Sequence, residues 1–342
     1  MPSGPNKAIL AAAGARKTQS IIDCALADPA QRVLITTYTN ENLRQIESRI
    51  QQQAGIIPPN IRTSGWFSFL LAHGIRPYQR SVLDKPGIVG GLNFIGERQP
   101  YSKTSEPRYY IDRRGDVYRD SAAHLVDRID EASRGQVVER LEHIFDHIYI
   151  DEIQDMVGYD LEVLDRLFRS TISVTVAGDL RQYTYATNTS SKNKKYRGEG
   201  LQKWFDERSD ACAQEHRNES YRCHKQICAF ASDLFPEFAP VTSAHDTDTG
   251  HDGIHRITPI DALAYYNKYK PQVLRWDKRT QTFGLPAINI GVSKGNTYQR
   301  VMIIPTQPMK RYLDGGSLDE FKSREKLYVA VTRAQHSVAF VL

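Results

Sequence analysis

Ile148-Tyr149-Ile150-Asp151-Glu152-Ile153-Gln154-Asp155 runs from an apolar segment straight into acidic and amide side chains. β-Branched and aromatic residues favour a strand over 147–150, so Asp151 and Glu152 fall at its C-terminal tip. In an open parallel sheet that tip is where ligands bind. Two carboxylates there suit phosphoryl hydrolysis, one holding Mg²⁺ while its neighbour polarises a water. The same residues also fit an acidic helix start, since Asp and Glu favour helix N-termini. The rest of the chain bears on the choice.

Around this segment, β-rich runs alternate with helical patterns. Strands are predicted at 7–13 and 33–37 and helices at 18–27 and 41–52, with a weaker repeat at 61–63 and 66–73. Strand-then-helix order argues for a parallel sheet covered on both faces. The pattern breaks over about 75–140, which holds Pro77, Pro86, Pro100, Pro107 and a hairpin-like run at 108–118. That stretch reads as a small insertion. Elements resume at 147–150, 159–169 and 173–177, and a looser segment at 186–215 reads as a linker. The second half offers a helix at 222–234, a polar loop at 241–253 and strands near 287–291 and 301–305. A helix at 322–332 and a strand at 337–341 complete it. The expectation is an α/β protein of two domains, 1–215 and 216–342.

The chain has 342 residues, 40% hydrophobic and 25% charged, with a net charge of +5, as for an ordinary globular protein. No apolar run approaches the roughly 20 residues that span a bilayer. The apolar stretch at 8–13 is too short for a secure signal-peptide core, so a soluble cytoplasmic protein without membrane contact is expected. Cys212, His216, Cys223 and Cys228 raise the question of zinc, but their spacings fit no paired-cysteine pattern. Reduced thiols are the default. The pairs His143/His147 and His251/His255 lack an accompanying ligand set. Lys192, Lys194, Lys195 and Arg197 form either a solvated loop or a phosphate-contacting one.

After the first strand comes Ala11-Ala12-Ala13-Gly14-Ala15-Arg16-Lys17-Thr18, opening a helix. Backbone N–H groups of such a loop and the helix N-terminus form an anion cradle. Lys17 would reach the β- and γ-phosphates and the Thr18 hydroxyl would ligand Mg²⁺. Arg16 stands where the phosphate-loop pattern has glycine; it can crowd the phosphate or add to its charge. Strand 173–177 ends in Gly178-Asp179-Leu180-Arg181-Gln182, which puts Gln182 at the same sheet edge, where it could sense a γ-phosphate or align water.

These residues resemble superfamily 1 DNA helicases and translocases, the UvrD/Rep-like group, from Ala11 to Leu342. Thr37-Tyr38-Thr39-Asn40 and the run from Thr63 to Phe69 are similar to the motifs after the second and third strands. Asp151–Asp155 and Gly178–Gln182 match the second and third motifs closely. Ser220-Tyr221-Arg222-Cys223 is similar to the fourth, Ser293-Lys294-Gly295-Asn296-Thr297 to the fifth, and 327–334 to the sixth. The resemblance implies a phosphate-loop NTPase fold with two RecA-like domains, and ATP hydrolysed with Mg²⁺ between them.

It also implies roles. Lys17, Glu152, Gln182, Arg222 and Arg333 would be catalytic, and Thr18 and Asp151 would hold the metal. Gln154 and Asp155 would couple the site toward the DNA side. Gly14, Ala15, Arg16, Lys17, Thr18, Gln19, Tyr221 and Gly295 would contact the nucleotide, with Tyr221 stacking on adenine. Tyr38, Thr39, Asn40, Trp66, Phe67, Tyr185 and Lys294 would meet single-stranded or tailed DNA; Phe67 and Phe69 fit a short helix's core equally well.

Three departures stand out. The glutamine-bearing segment that reads adenine is not found before the phosphate loop. Asn296-Thr297 replaces the Leu-Glu of UvrD-like enzymes and is similar to the group moving 5′ to 3′. Insertions are small, so what remains is close to a bare motor core. A second expectation follows: an ATP- and DNA-binding regulatory subunit that licenses a partner nuclease, for example in genome defence or repair, without strong unwinding of its own. A third is a degenerate nucleotide binder blocked by Arg16.

Overall fold

The computed structural model describes residues 6–83, 89–96, 98, 101–318, 321 and 324–342. It divides into two compact units. The first comprises Met1–Leu10, Lys17–Leu180 and Tyr185–Glu215, the second Ala11–Arg16, Arg181–Thr184 and His216–Leu342. Each is built on a largely parallel sheet, and the architecture is that of two RecA-like domains.

The first sheet contains β1 (Asn6–Ala11), β2 (Val33–Thr37) and β3 (Ile61–Gly65). The insertion adds two short parallel strands, β4 (Leu92–Asn93) and β5 (Val117–Tyr118). The main sheet continues with β6 (His147–Asp151), β7 (Ser173–Gly178) and β8 (Cys212–Arg217), in the order β3-β2-β6-β7-β1-β8. Strands β2, β6 and β7 are buried along nearly their whole length, because helices cover both faces of a parallel sheet. β7 lies between β1 and β6, and both pairings are parallel. The C-terminal ends of these three strands therefore share one edge.

Three expectations change here. Helices at Ala122–Ala132 and Gln136–Glu142 bury Leu125, Val126, Ile129, Val137 and Leu141 in the helical layer. The irregular insertion therefore ends near Ser121, not near 140. Gly74 explains the fit: a Cβ there would meet Val126 Cγ1 at 3.0 Å. Likewise 186–215 is more than a linker. It supplies a helix at Gly200–Asp206 with Trp204 and Phe205 fully buried, and then β8. β8 reads Cys-Ala-Gln-Glu-His-Arg, an edge strand too polar to announce itself. The hairpin-like run is reduced to a single antiparallel bridge, Ile111 to Val117.

The second unit opens with a small parallel pair, β9 (Glu219–Ser220) and β10 (Thr242–Ser243). Its main sheet has β11 (Gly253–Ile257), β12 (Gln272–Arg275), β13 (Ala287–Asn289), β14 (Tyr298–Ile304) and β15 (Ala334–Val341), all parallel, in the order β11-β15-β14-β12-β13. Side chains alternate faces as a pleated strand requires. Val273, Met302, Ile304, Ala339 and Val341 pack on one side with Ala262 and Tyr265. Leu274, Val301, Ile303, Val338 and Phe340 pack on the other, with the helices Lys225–Asp233 and Arg324–Val331.

Candidate functional site

In the first unit, β1 and β6 deliver the chemistry. The helix Lys17–Ala27 starts with the two residues that the phosphate-loop pattern requires. Thr18 Oγ1 donates to Asp151 Oδ2 at 2.7 Å, and Lys17 Nζ lies 3.8 Å from Glu152 Oε1. Asp151 is buried and its other oxygen accepts the Glu152 N–H at 3.0 Å. Glu152 adopts φ 62°, left-handed backbone that a non-glycine residue rarely takes. That turn ends the strand and separates the two carboxylates in direction. Such strain collects at functional sites.

Gln154 braces the pair. Its amide donates to Glu152 Oε2, and its Oε1 accepts the Asp179 N–H at 3.1 Å. Gly178 makes room for it: an added Cβ would meet Ile153 N at 3.2 Å and crowd Gln154. Burial, then the neighbouring Glu152 charge, pushes the Asp151 carboxyl up from its ordinary range, against Lys17 and the Thr18 hydroxyl. A divalent cation relieves that penalty. A hydroxyl and a carboxylate in contact are hard oxygen donors of the kind Mg²⁺ takes beside phosphate, so these residues fit the metal.

In the second unit, the loop Ala11–Arg16 is held by its backbone. Ala12 N–H donates to Arg217 O at 2.8 Å, Ala13 N–H to the Tyr328 hydroxyl at 3.2 Å, and Tyr221 N–H to Gly14 O at 3.1 Å. Gly14 has φ +82°, and a Cβ there would sit 2.7 Å from Arg222 Cβ. Arg16 adopts φ 57°, the conformation glycine favours, although it is arginine. Its guanidinium lies 3.8 Å over the Tyr221 ring, which is 42% exposed.

Gln182, Lys294 and Arg333 come together in the same unit, all buried. Arg333 Nη2 donates to Gln182 Oε1 at 3.2 Å and its Nε to Val329 O at 3.1 Å. Lys294 Nζ donates to Gln182 O at 3.4 Å. Lys294, expected to meet the nucleic-acid backbone, is thus buried beside Gln182. The following Gly295 takes φ +89°. Arg222 Nη1 donates to Thr332 O at 3.2 Å.

The residues expected to meet nucleic acid divide. Tyr38 is half-buried and packs edge-on against Phe67 at 5.8 Å. Thr39 caps the helix Asn40–Ala54, its Oγ1 accepting the Asn42 N–H at 3.1 Å, and Asn40 is exposed at the helix start. Tyr185 is 46% exposed. Trp66 is different: it is fully buried, and its Nε1 donates to Asp160 Oδ1 at 2.7 Å. Its ring is core and offers no face to a base. Burial raises the Asp160 carboxyl to about 6, against hydrogen bonds from Thr187, Trp66 and Asn188. Asp160, Thr187 and Asn188 form a buried polar hub that the sequence reading missed.

The basic run near 192 is partly paired, Lys192 with Glu162 at 3.5 Å and Lys195 with Glu207 at 3.9 Å. Cys212, Cys223 and Cys228 are buried free thiols and Cys24 is an exposed one. Among the described residues, no group of three or more His, Cys, Asp or Glu side chains could hold a metal ion, and no helix is long and apolar enough to cross a membrane.

Two solved structures of an arterivirus helicase, nonstructural protein 10, are similar to this chain across 98% of its length. One is described as a crystal structure of the helicase and the other as its complex with DNA, each with a TM-score of 0.50 and 14% identity. The chain shares the fold of these two structures. The chain spans 59% and 61% of those two chains. No protein-family model matches it, and no curated protein does.

Proposed function

We propose that this helicase-fold protein is an ATPase of superfamily 1 that moves along single-stranded DNA and is stimulated by it. The observation that carries this reading is the contact of Thr18 with Asp151 beside the Lys17–Glu152 pair. Phosphoryl transfer is catalysed mainly by positioning and by neutralising charge, and this corner has a group for each task. Thr18 and Asp151 would hold Mg²⁺, which supplies positive charge against the phosphate oxygens when bound. Lys17 would balance the terminal phosphates. Glu152 would orient the attacking water and take its proton, while Gln154 fixes the Glu152 carboxylate. Gln182, Arg222 and Arg333 would sense the γ-phosphate, and Tyr221 would receive the base.

Lys17→Ala and Glu152→Gln are expected to abolish ATP hydrolysis, by at least about 10³-fold, with unchanged circular dichroism and melting temperature. Normal turnover in both variants would exclude the assignment. Arg16 in place of glycine favours a second reading, a subunit that binds ATP and DNA to license a partner nuclease. Robust strand displacement by the isolated protein on tailed duplexes removes it.

A further inference from the structure

We propose that Phe94 and Ile95, at the tip of the first-unit insertion, contact an unpaired nucleobase, and that the adjoining pocket takes the backbone of that strand. This rests on the nucleic-acid reading above and adds a site to it. Phe94 is 55% and Ile95 96% exposed. Water disfavours holding two adjacent apolar side chains outward, so such exposure marks an interaction surface when the backbone enforces it.

Here the backbone enforces it. Asn93 Oδ1 accepts the N–H groups of Ile95 at 3.1 Å and Gly96 at 2.6 Å, closing a tight turn. Asn93 Nδ2 donates to Asp112 Oδ2 at 2.8 Å, while Asp112 Oδ1 accepts the Arg114 and Asp116 N–H groups at 2.8 and 3.0 Å. The tip is therefore braced, and its conformation does not depend on the two apolar side chains.

The tip continues a line of rings. Phe94 meets Phe67 edge-on at 5.5 Å, and Phe67 meets Tyr38 at 5.8 Å. Tyr38, at the other end of the line, feels the Arg119 charge together with the carboxylates of Asp155, Asp160 and Asp120. Beside Phe94 opens a pocket of about 420 Å³ bounded by Arg98, Tyr118, Arg119, Ser121 and Thr189, a size that suits a nucleotide-scale ligand. Asp120 shares it, pairing with Arg119 at 2.9 Å and accepting the Thr189 hydroxyl at 2.6 Å. Net positive charge there is modest, which suits one or two phosphates rather than the dense backbone of a duplex. Only an unpaired strand offers a free base face to Phe94.

The test is fluorescence anisotropy of the full chain with labelled oligothymidylate and with an abasic oligonucleotide of equal length. Phe94→Ala is expected to weaken oligothymidylate binding about fivefold or more, the low end for a stacked base. It should leave abasic binding and the salt slope unchanged, and Phe94→Trp should restore affinity. Equal weakening toward both oligonucleotides would overturn the base contact. Unchanged binding in Phe94→Ala would overturn the site while sparing the nucleic-acid reading. Failure of the unaltered protein to bind either would remove that reading and the site with it.

Discussion

The peptide bond between Arg16 and Lys17 separates two regions that are held in place by different means. On one side, Lys17 and Thr18 work through side chains, reaching Glu152 and Asp151 in the first unit. On the other, Ala11–Arg16 works through its backbone, with N–H and C=O groups tied to Arg217, Tyr328 and Tyr221 in the second. The first region depends on which functional groups are present. The second depends on which φ angles the chain can adopt, and Gly14 and Arg16 both lie in the left-handed region. A change of side-chain chemistry should damage the first, and a change of Cβ the second.

Gly14→Ala makes the largest break on the backbone side. The added carbon falls 2.7 Å from Arg222 Cβ at a φ of +82°, a combination costing about 1–3 kcal/mol. ATP hydrolysis is expected to fall tenfold or more, while the melting temperature drops by only a few degrees. Normal activity in this variant would mean the loop has no role in binding phosphate.

Strand β6, which carries the carboxylates, begins at His147. Burial lowers that imidazole to about 4, below its ordinary value near 6.5. The unfolded chain therefore takes up a proton that the folded one refuses. This stability is fully present above about pH 6.5 and is lost as pH falls toward 4. His147→Gln keeps a partner for Thr175 Oγ1, which lies 2.9 Å from the His147 ring. The melting-temperature advantage of the unaltered protein over this variant should shrink across that window. A constant difference from pH 7 to 4 would contradict the buried neutral imidazole.

Arg16→Gly should give the smallest effect, with the opposite sign. It removes a left-handed arginine, worth about 1–2 kcal/mol, and uncovers the Tyr221 ring. ATP is expected to bind a fewfold more tightly by calorimetry. Weaker binding would show that the guanidinium itself holds phosphate.

The same contrast explains what could be read from the residues. Asp151, Glu152, Gln182, Arg222 and Arg333 fall at or beside element ends, as the strand and helix patterns predict, and apolar strands such as Val33–Thr37 are visible in their composition. β8 and β12 escaped because one is a polar edge strand and the other is only Gln272–Arg275. Trp66 was misplaced because its partner, Asp160, lies far along the chain, and a ring next to a motif looks the same buried or exposed. The burial of Lys294 is hidden for a similar reason: only folding reveals the Gln182 carbonyl that holds it. The exposure of Phe94 depends on a turn made by Asn93, which composition does not signal.

ATP turnover with and without single-stranded DNA, at fixed ATP and low salt, tests the central claim most directly. A measurable basal rate that rises at least about tenfold with oligothymidylate, and vanishes in Glu152→Gln, is the expected result. A rate that is absent, or indifferent to both the strand and Glu152, would contradict it.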